Sequence, residues 1–87
     1  MERYEVRLKR SAVKELERVG TKADRKRVVA RIAGLADDPR PTGSCRLSVR
    51  DAYRVRQGPY RVVYTVDDAA RVVEVVRIAH RRDVYGP

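Results

Sequence analysis

Residues 52–66 read AYRVRQGPYRVVYTV, and this stretch decides the fold. Apolar and polar residues alternate over 52–57, as expected for a strand with one buried face. Gly58-Pro59 then turns the chain, and residues 60–66 form a β-branched and aromatic run that is typical of a strand. The stretch therefore predicts an antiparallel hairpin.

The hairpin sorts its side chains onto two different faces. With a two-residue turn, Arg56 lies directly opposite Arg61, and Arg54 shares their face because side chains alternate across a sheet. The other face is apolar and suits a layer of helices; it carries Tyr53, Val55, Val62, Tyr64 and Val66. Like charges placed directly opposite each other are destabilising, and solubility alone does not require that arrangement. Because the guanidinium fork matches phosphate, we predict a phosphate site between the arginines rather than a merely solvated surface.

Two helices are predicted before the hairpin. Residues 4–9 alternate as a first strand, and Ser11 is the expected cap of a helix that ends at Gly20. Thr21 is the expected cap of a second helix. Its apolar stripe is predicted to contain Val28, Val29, Ile32, Leu35 and Ala36. Residues 37–43 are rich in Asp, Pro and Gly and indicate a loop.

A third strand and a tail follow the hairpin. Residues 71–78 form the strand after a turn at 67–70. This spacing places Glu74 on the arginine face, in the row of Val63 and Arg54, as a candidate orienting partner for Arg54. The chain thus predicts one α+β domain over residues 1–87, with two N-terminal helices on one face of a small twisted antiparallel sheet, in the order strand, helix, helix and three-strand meander.

The composition limits the classes of partner. The chain carries 21 Lys and Arg against 12 Asp and Glu, a net charge of +9, which favours a polyanionic partner. Its single cysteine, Cys45, excludes an internal disulfide, and one cysteine with one histidine makes a structural zinc site implausible. No apolar stretch approaches the length of a membrane span. We expect a cytoplasmic protein with no metal, no small-molecule cofactor and no membrane partner.

The motifs together resemble the RelE/ParE toxin superfamily, on its RelE side. The resemblance covers almost the whole chain and rests on segments in a fixed order: SAVKEL at 11–16, LADDPRP at 35–41, DAYRVR at 51–56, GPYRVVY at 58–64 and HRRDVY at 80–85. It implies that the chain has a RelE-like fold and is the toxin of a bacterial toxin–antitoxin module. The implied activity is that of a metal-independent endoribonuclease that cuts messenger RNA in the ribosomal A site. The implied partners are the ribosome, its message and a cognate antitoxin, which we expect to be acidic and partly disordered because this chain is basic.

The resemblance also implies roles for individual residues. Arg61 and Arg81 match residues that act on the scissile phosphate, and Tyr85 matches a tail tyrosine with a direct role. Arg54 and Arg56 match basic residues of the sheet that hold the RNA backbone. Arg82 lies beside Arg81; it is expected to bind an RNA phosphate and is a second candidate for the tail position. No additional helix is expected after the last strand.

The proton-transfer residue has two candidates. A tyrosine has an ordinary pKa of about 10, which neighbouring arginines would depress, whereas a histidine has one of about 6.5 and is the better shuttle near neutrality. We favour Tyr85 and keep His80 as the alternate.

Two other functions are consistent with this fold and charge. One is a ParE-like toxin that inhibits DNA gyrase and has no nuclease activity. The other is a non-enzymatic module that binds RNA or the ribosome through the same basic face.

Overall fold

Eight elements follow one another in the computed structural model, which describes residues 3–48 and 51–84. They are β1 (Glu5–Leu8), α1 (Arg10–Glu17), α2 (Lys22–Gly34), β2 (Cys45–Arg46), β3 (Ala52–Gln57), β4 (Tyr60–Asp67), β5 (Val72–His80) and α3 (Arg81–Val84). The α+β class and the order strand, helix, helix and three-strand meander are as predicted, but the two-residue strand β2 is an addition to the predicted meander. The one-turn helix α3 was not expected, since residues 81–84 carry no apolar period long enough to indicate a helix.

The strands form one sheet in the order β1-β5-β4-β3-β2. The hairpin register is confirmed: Arg56 pairs with Arg61, and Tyr53 pairs with Tyr64. The expectation of a wholly antiparallel sheet was wrong, because β1 lies parallel to β5. Alternation within β1 indicates which face is buried but not the direction of its neighbour. That direction depends on the long connection through both helices, which parallel neighbours require.

The two longer helices differ in how they begin. The cap of α1 is Lys9, without a side-chain cap bond, and the helix ends at Glu17, so the predicted Ser11 cap and Gly20 end were wrong. The Lys9 amide still bonds to the Val75 carbonyl of the sheet, at 2.9 Å, so the helix begins directly after a sheet contact. The predicted cap of α2 is confirmed, because the Asp24 amide donates to Thr21 Oγ1 at 3.0 Å.

The core lies between these helices and one face of the sheet. Helix α2 contributes Val28 and Ile32, and Leu35 follows at its end, each at most 4% exposed. Val29 was wrongly placed in the buried stripe; it is 46% exposed, on the outer side of α2. Tyr64 is fully buried, and its hydroxyl donates to the Pro39 carbonyl at 2.8 Å, which holds the 37–43 loop against the sheet. Among the described residues, no helix is both long and apolar enough to cross a membrane.

An ion pair joins the loop to the turn between β4 and β5. Arg40 donates to both carboxylate oxygens of Asp68, at 3.2 and 2.8 Å, and its Nε donates to the Tyr53 hydroxyl at 2.9 Å. The Arg40 guanidinium, with a smaller contribution from the Tyr4 hydroxyl, lowers the pKa of the Asp68 carboxyl to about 2. A carboxyl whose pKa is depressed by folding stabilises the fold above its unfolded pKa and loses that contribution in acid.

We therefore expect the stability of the wild type to fall between about pH 4 and pH 2 more steeply than that of Asp68→Asn. The unfolded pKa is near 3.8 and the folded value near 2, so protonation in this window weakens the native ion pair. Urea midpoints measured at several pH values test this, with Asp38→Asn, in the 37–43 loop that carries Arg40, as the control. Parallel curves for wild type and Asp68→Asn would contradict it.

Candidate functional site

The face of the sheet opposite α1 and α2, called here the open face, carries the predicted arginine cluster. Arg56 and Arg61 form a directly opposed pair, and Arg54 pairs with Val63 in the next row. Arg61 lies on the central strand β4 and is 6% exposed, whereas Arg56 is exposed. A cation removed from water in this way acts more strongly on a nearby anion, because the local dielectric is lower.

A small cavity of about 80 Å³ lies beside the turn between β3 and β4. It is lined by Arg56, Gly58, Pro59, Tyr60, Arg61 and Arg81, and we call it the arginine cavity. Three separate elements, β3, β4 and α3, each contribute one of its arginines. The Arg81 amide donates to the Pro59 carbonyl at 2.7 Å, which fixes the start of α3 against the turn. The fold thus brings the tail arginine to the hairpin arginines.

The structure distinguishes between the two tail arginines. Both are exposed, but Arg81 lines the arginine cavity and Arg82 does not. Tyr85 lies outside the described residues.

His80 does not line the arginine cavity. It pairs with Tyr60, whose side chain lies on the helix side of β4 together with Val62 and Tyr64. The two rings meet edge to face, with centroids 5.3 Å apart. The Tyr60 hydroxyl accepts from the Gly20 amide at 3.0 Å. His80 Nδ1 accepts from the Arg82 amide at 3.3 Å, so this nitrogen caps the start of α3.

A bulge in β5 changes which side chains reach the open face. Val63 pairs with Arg77, but the next residue, Tyr64, pairs with Val75, so Val76 has no opposite residue. Glu74 lies between this bulge and the turn, beside Thr65 and the β1 residue Arg7. It is on the open face as predicted, but its predicted row next to Val63 and Arg54 was wrong because Asp67 pairs with Val72, so the turn covers residues 68–71 instead of 67–70.

Arg77 lies in the row of Arg54 and Val63. The sequence analysis did not identify it as a residue of the open face. Strict alternation from Val73 and Val75 would bury Arg77 and expose Ile78, whereas Ile78 is 3% exposed. The change of apolar positions from odd to even numbers was the available signal for a bulge.

The site offers cations and no assembled metal ligands. Among residues 3–48 and 51–84, no three His, Cys, Asp or Glu side chains are grouped so as to hold a metal ion. Guanidinium groups converging on one small cavity can bind a phosphate through several N–H donors and stabilise negative charge that develops on its oxygens.

Comparison with known proteins identifies the family. The family model described as "ParE toxin of type II toxin-antitoxin system, parDE" matches residues 6–85. Toxin RelE of Mycobacterium tuberculosis is 31% identical over 83 residues, covering 94% of this chain and 86% of the relative. Toxin RelG of the same organism is 28% identical, covering 94% and 95%.

Solved structures agree with this assignment. The structure of the archaeal RelE–RelB complex from Pyrococcus horikoshii superposes with a TM-score of 0.80 at 28% identity, covering 90% of this chain and 94% of the other. An arginine-to-alanine variant of Escherichia coli toxin RelE, solved with a RelB antitoxin peptide, gives a TM-score of 0.73 at 27% identity, covering 94% and 90%. The chain therefore belongs to the RelE/ParE family of toxins of type II toxin–antitoxin systems.

Proposed function

We propose that this toxin is an endoribonuclease that cleaves messenger RNA, in the ribosomal A site, without using a metal ion. The observation that carries the proposal is the arginine cavity, in which Arg56, Arg61 and Arg81 converge from three elements. Relatives named RelE support the nuclease branch of the family.

The arginines suit a transesterification within the RNA. The 2′-oxygen attacks the adjacent phosphorus, a bond forms between them, and the bond to the 5′-oxygen breaks. The products are a 2′,3′-cyclic phosphate and a 5′-hydroxyl end. One proton leaves the 2′-hydroxyl and another reaches the 5′-oxygen. Arg61 and Arg81 stabilise charge on the phosphoryl oxygens, while Arg54 and Arg56 hold the backbone in position.

The direct test is expression in a translating extract, followed by primer extension on a defined message. We expect discrete cuts whose downstream fragments carry 5′-hydroxyl ends and so accept a labelled phosphate from a kinase without prior dephosphorylation. A message with a 2′-deoxynucleotide at the cut position should resist cleavage there. Cuts that persist at the deoxynucleotide would overturn the mechanism, because no attacking hydroxyl would be present.

Proton transfer is assigned to Tyr85 rather than His80. His80 faces Tyr60 on the helix side and does not line the arginine cavity, and its Nδ1 is used by the Arg82 amide. Glu74 is not assigned a direct contact with Arg54, since it lies beside Thr65 and Arg7.

We expect Tyr85→Phe to reduce cleavage by about 10²-fold, in the range of about 10²–10⁴ for general acid–base residues. We expect His80→Asn to leave the pH–rate profile unchanged, since asparagine keeps an acceptor near the position of Nδ1. Single-turnover cleavage between pH 6 and pH 9 measures both effects. A limb near neutrality that disappears in His80→Asn would reverse the assignment.

The toxin is also proposed to bind a cognate antitoxin. Solved relatives are RelE–RelB complexes, and a net charge of +9 favours an acidic and partly disordered partner. Co-expression with the product of a neighbouring reading frame should yield a stable complex and suppress cleavage.

The name of the matching family model supports one rival, a ParE-like toxin that acts on DNA gyrase. The double variant Arg61→Ala with Tyr85→Phe separates the two functions. Loss of growth inhibition supports the nuclease, whereas full toxicity together with gyrase inhibition supports the rival. Salt-sensitive RNA binding without any cut would instead indicate a binding module.

A further inference from the structure

Arg77 lies on the open face at the end of a row defined by strand pairing. It is opposite Val63, which is itself opposite Arg54, so two arginines flank one valine. Arg61 pairs with Ala79, which places Arg77 diagonally from Arg61, a relation that separates side chains by about 7–8 Å in a sheet. Arg77 is exposed, and within residues 3–48 and 51–84 it forms no hydrogen bond or ion pair.

A second cavity opens beside Arg77 at the free edge of β5. Strand β1 covers only Val72–Val75, so residues 76–80 have no strand on that side. The cavity measures about 320 Å³ and is lined by Arg77, Tyr60, His80, Glu15 and Arg18, with parts of Ile78 and Ala79. We call it the edge cavity. Its volume falls in the usual range for small-ligand sites, about 300–1,000 Å³.

The lining of the edge cavity combines a carboxylate and two rings with Arg18 and Arg77, a mixture that suits a nucleobase attached to its phosphate better than a phosphate alone. Glu15 Oε1 accepts from the Ile78 amide at 2.8 Å, which fixes a carboxylate in the cavity wall. A carboxylate repels phosphate but accepts hydrogen bonds from the N–H groups of a base. The edge-to-face pair of Tyr60 and His80 adds aromatic surface, against which a base can stack.

We infer that Arg77 and the edge cavity form a second RNA subsite, next to the arginine cavity. Arg77 binds the phosphate of the nucleotide adjacent to the scissile one, and the base of that nucleotide enters the edge cavity. The RNA strand therefore crosses the open face from β3 towards the free edge of β5. This subsite rests on the proposed function, which places the scissile phosphate at Arg56, Arg61 and Arg81.

Binding of a non-cleavable RNA tests the phosphate contact apart from catalysis. The probe is a fluorescent octanucleotide with 2′-O-methyl groups throughout, which blocks the attacking hydroxyl. Arg77→Gln should weaken binding about fivefold and reduce the slope of log affinity against log salt by about 0.7, as expected for one lost phosphate contact. The matched control is Arg27→Gln, which removes the same charge from an exposed position on α2. It should behave like the wild type.

Single abasic substitutions along the octanucleotide test the base contact. We expect one position at which the missing base weakens binding to the wild type about fivefold, in line with the loss of one stacked base. That penalty should shrink in His80→Asn, which removes the ring but keeps an acceptor for the Arg82 amide.

Each outcome supports or overturns the subsite. Equal effects of Arg77→Gln and Arg27→Gln, an abasic profile unchanged in His80→Asn, or no binding of the octanucleotide to the wild type would overturn it. Cleavage in the translating extract is a separate readout. If the wild type cuts the message and Arg77→Gln binds normally, the subsite fails and the nuclease stands. If the Arg77 and base effects appear without any cleavage, the nuclease fails and the subsite stands.

Discussion

Arg61→Ala should lower the rate of message cleavage in a translating extract by about 10²–10³, the usual effect of removing one preorganised donor from an oxyanion-type site. The effect should be large because Arg61 is 6% exposed and lies on the central strand. In the proposed mechanism its guanidinium acts on the phosphate with little competition from water. Primer extension with a matched amount of folded toxin measures the rate.

Two further variants show whether charge or geometry is responsible. Arg61→Lys keeps the positive charge but loses the planar fork, and we expect it to recover only part of the activity. Arg27→Ala removes a charge from an exposed position on α2 and should cleave at the wild-type rate. Urea unfolding of each variant separates lost chemistry from lost fold. A folded Arg61→Ala toxin that cleaves within threefold of the wild type would remove Arg61 from the mechanism.

Leu35→Ala should lower the free energy of unfolding by about 2–5 kcal/mol, the usual result of truncating a buried leucine. Leu35 is 1% exposed and lies in the core at the end of α2. A domain of this size is stabilised by only about 5–15 kcal/mol in total, so the variant should lose a large fraction of its stability. Urea denaturation monitored by circular dichroism measures the change.

Val29→Ala is the matched control for that measurement. Val29 belongs to the same helix but is 46% exposed, and surface substitutions usually change stability by less than about 0.5 kcal/mol. A loss below 1 kcal/mol for Leu35→Ala, or an equal loss for Val29→Ala, would contradict the described core.

The hairpin and its arginine face were predictable from the sequence. A two-residue turn at Gly58-Pro59 leaves one register, and a slip of one residue would bury the arginine side chains. That reasoning was local, because it needed only the alternation of residues 52–66. The pairing of Arg56 with Arg61 confirms it.

The helix stripe was predictable only in part. Apolar spacing correctly placed Val28, Ile32 and Leu35 in the core, yet it included Val29, which points away from the sheet. Apolar spacing alone does not show whether a residue at the border of the stripe is buried or exposed. The width of the buried face depends on how α2 lies on the sheet. The spacing of residues within one helix gives no information about that orientation.

Local sequence patterns were sufficient to predict the fold class, the hairpin register and the face that carries Arg54, Arg56 and Arg61. Each of these follows from alternation and turn length within a short stretch. Three features follow from the packing of the whole chain: β1 lies parallel to β5, Arg81 lines the arginine cavity, and His80 faces Tyr60. In addition, the turn at residues 68–71 places Glu74 outside the row of Arg54, and the bulge at Val76 brings Arg77 into that row. These features depend on contacts between residues that are distant in the chain. The unpaired Val76 changes which side chains after it face the helices, and the hydrogen bond from the Arg81 amide to the Pro59 carbonyl positions the start of α3.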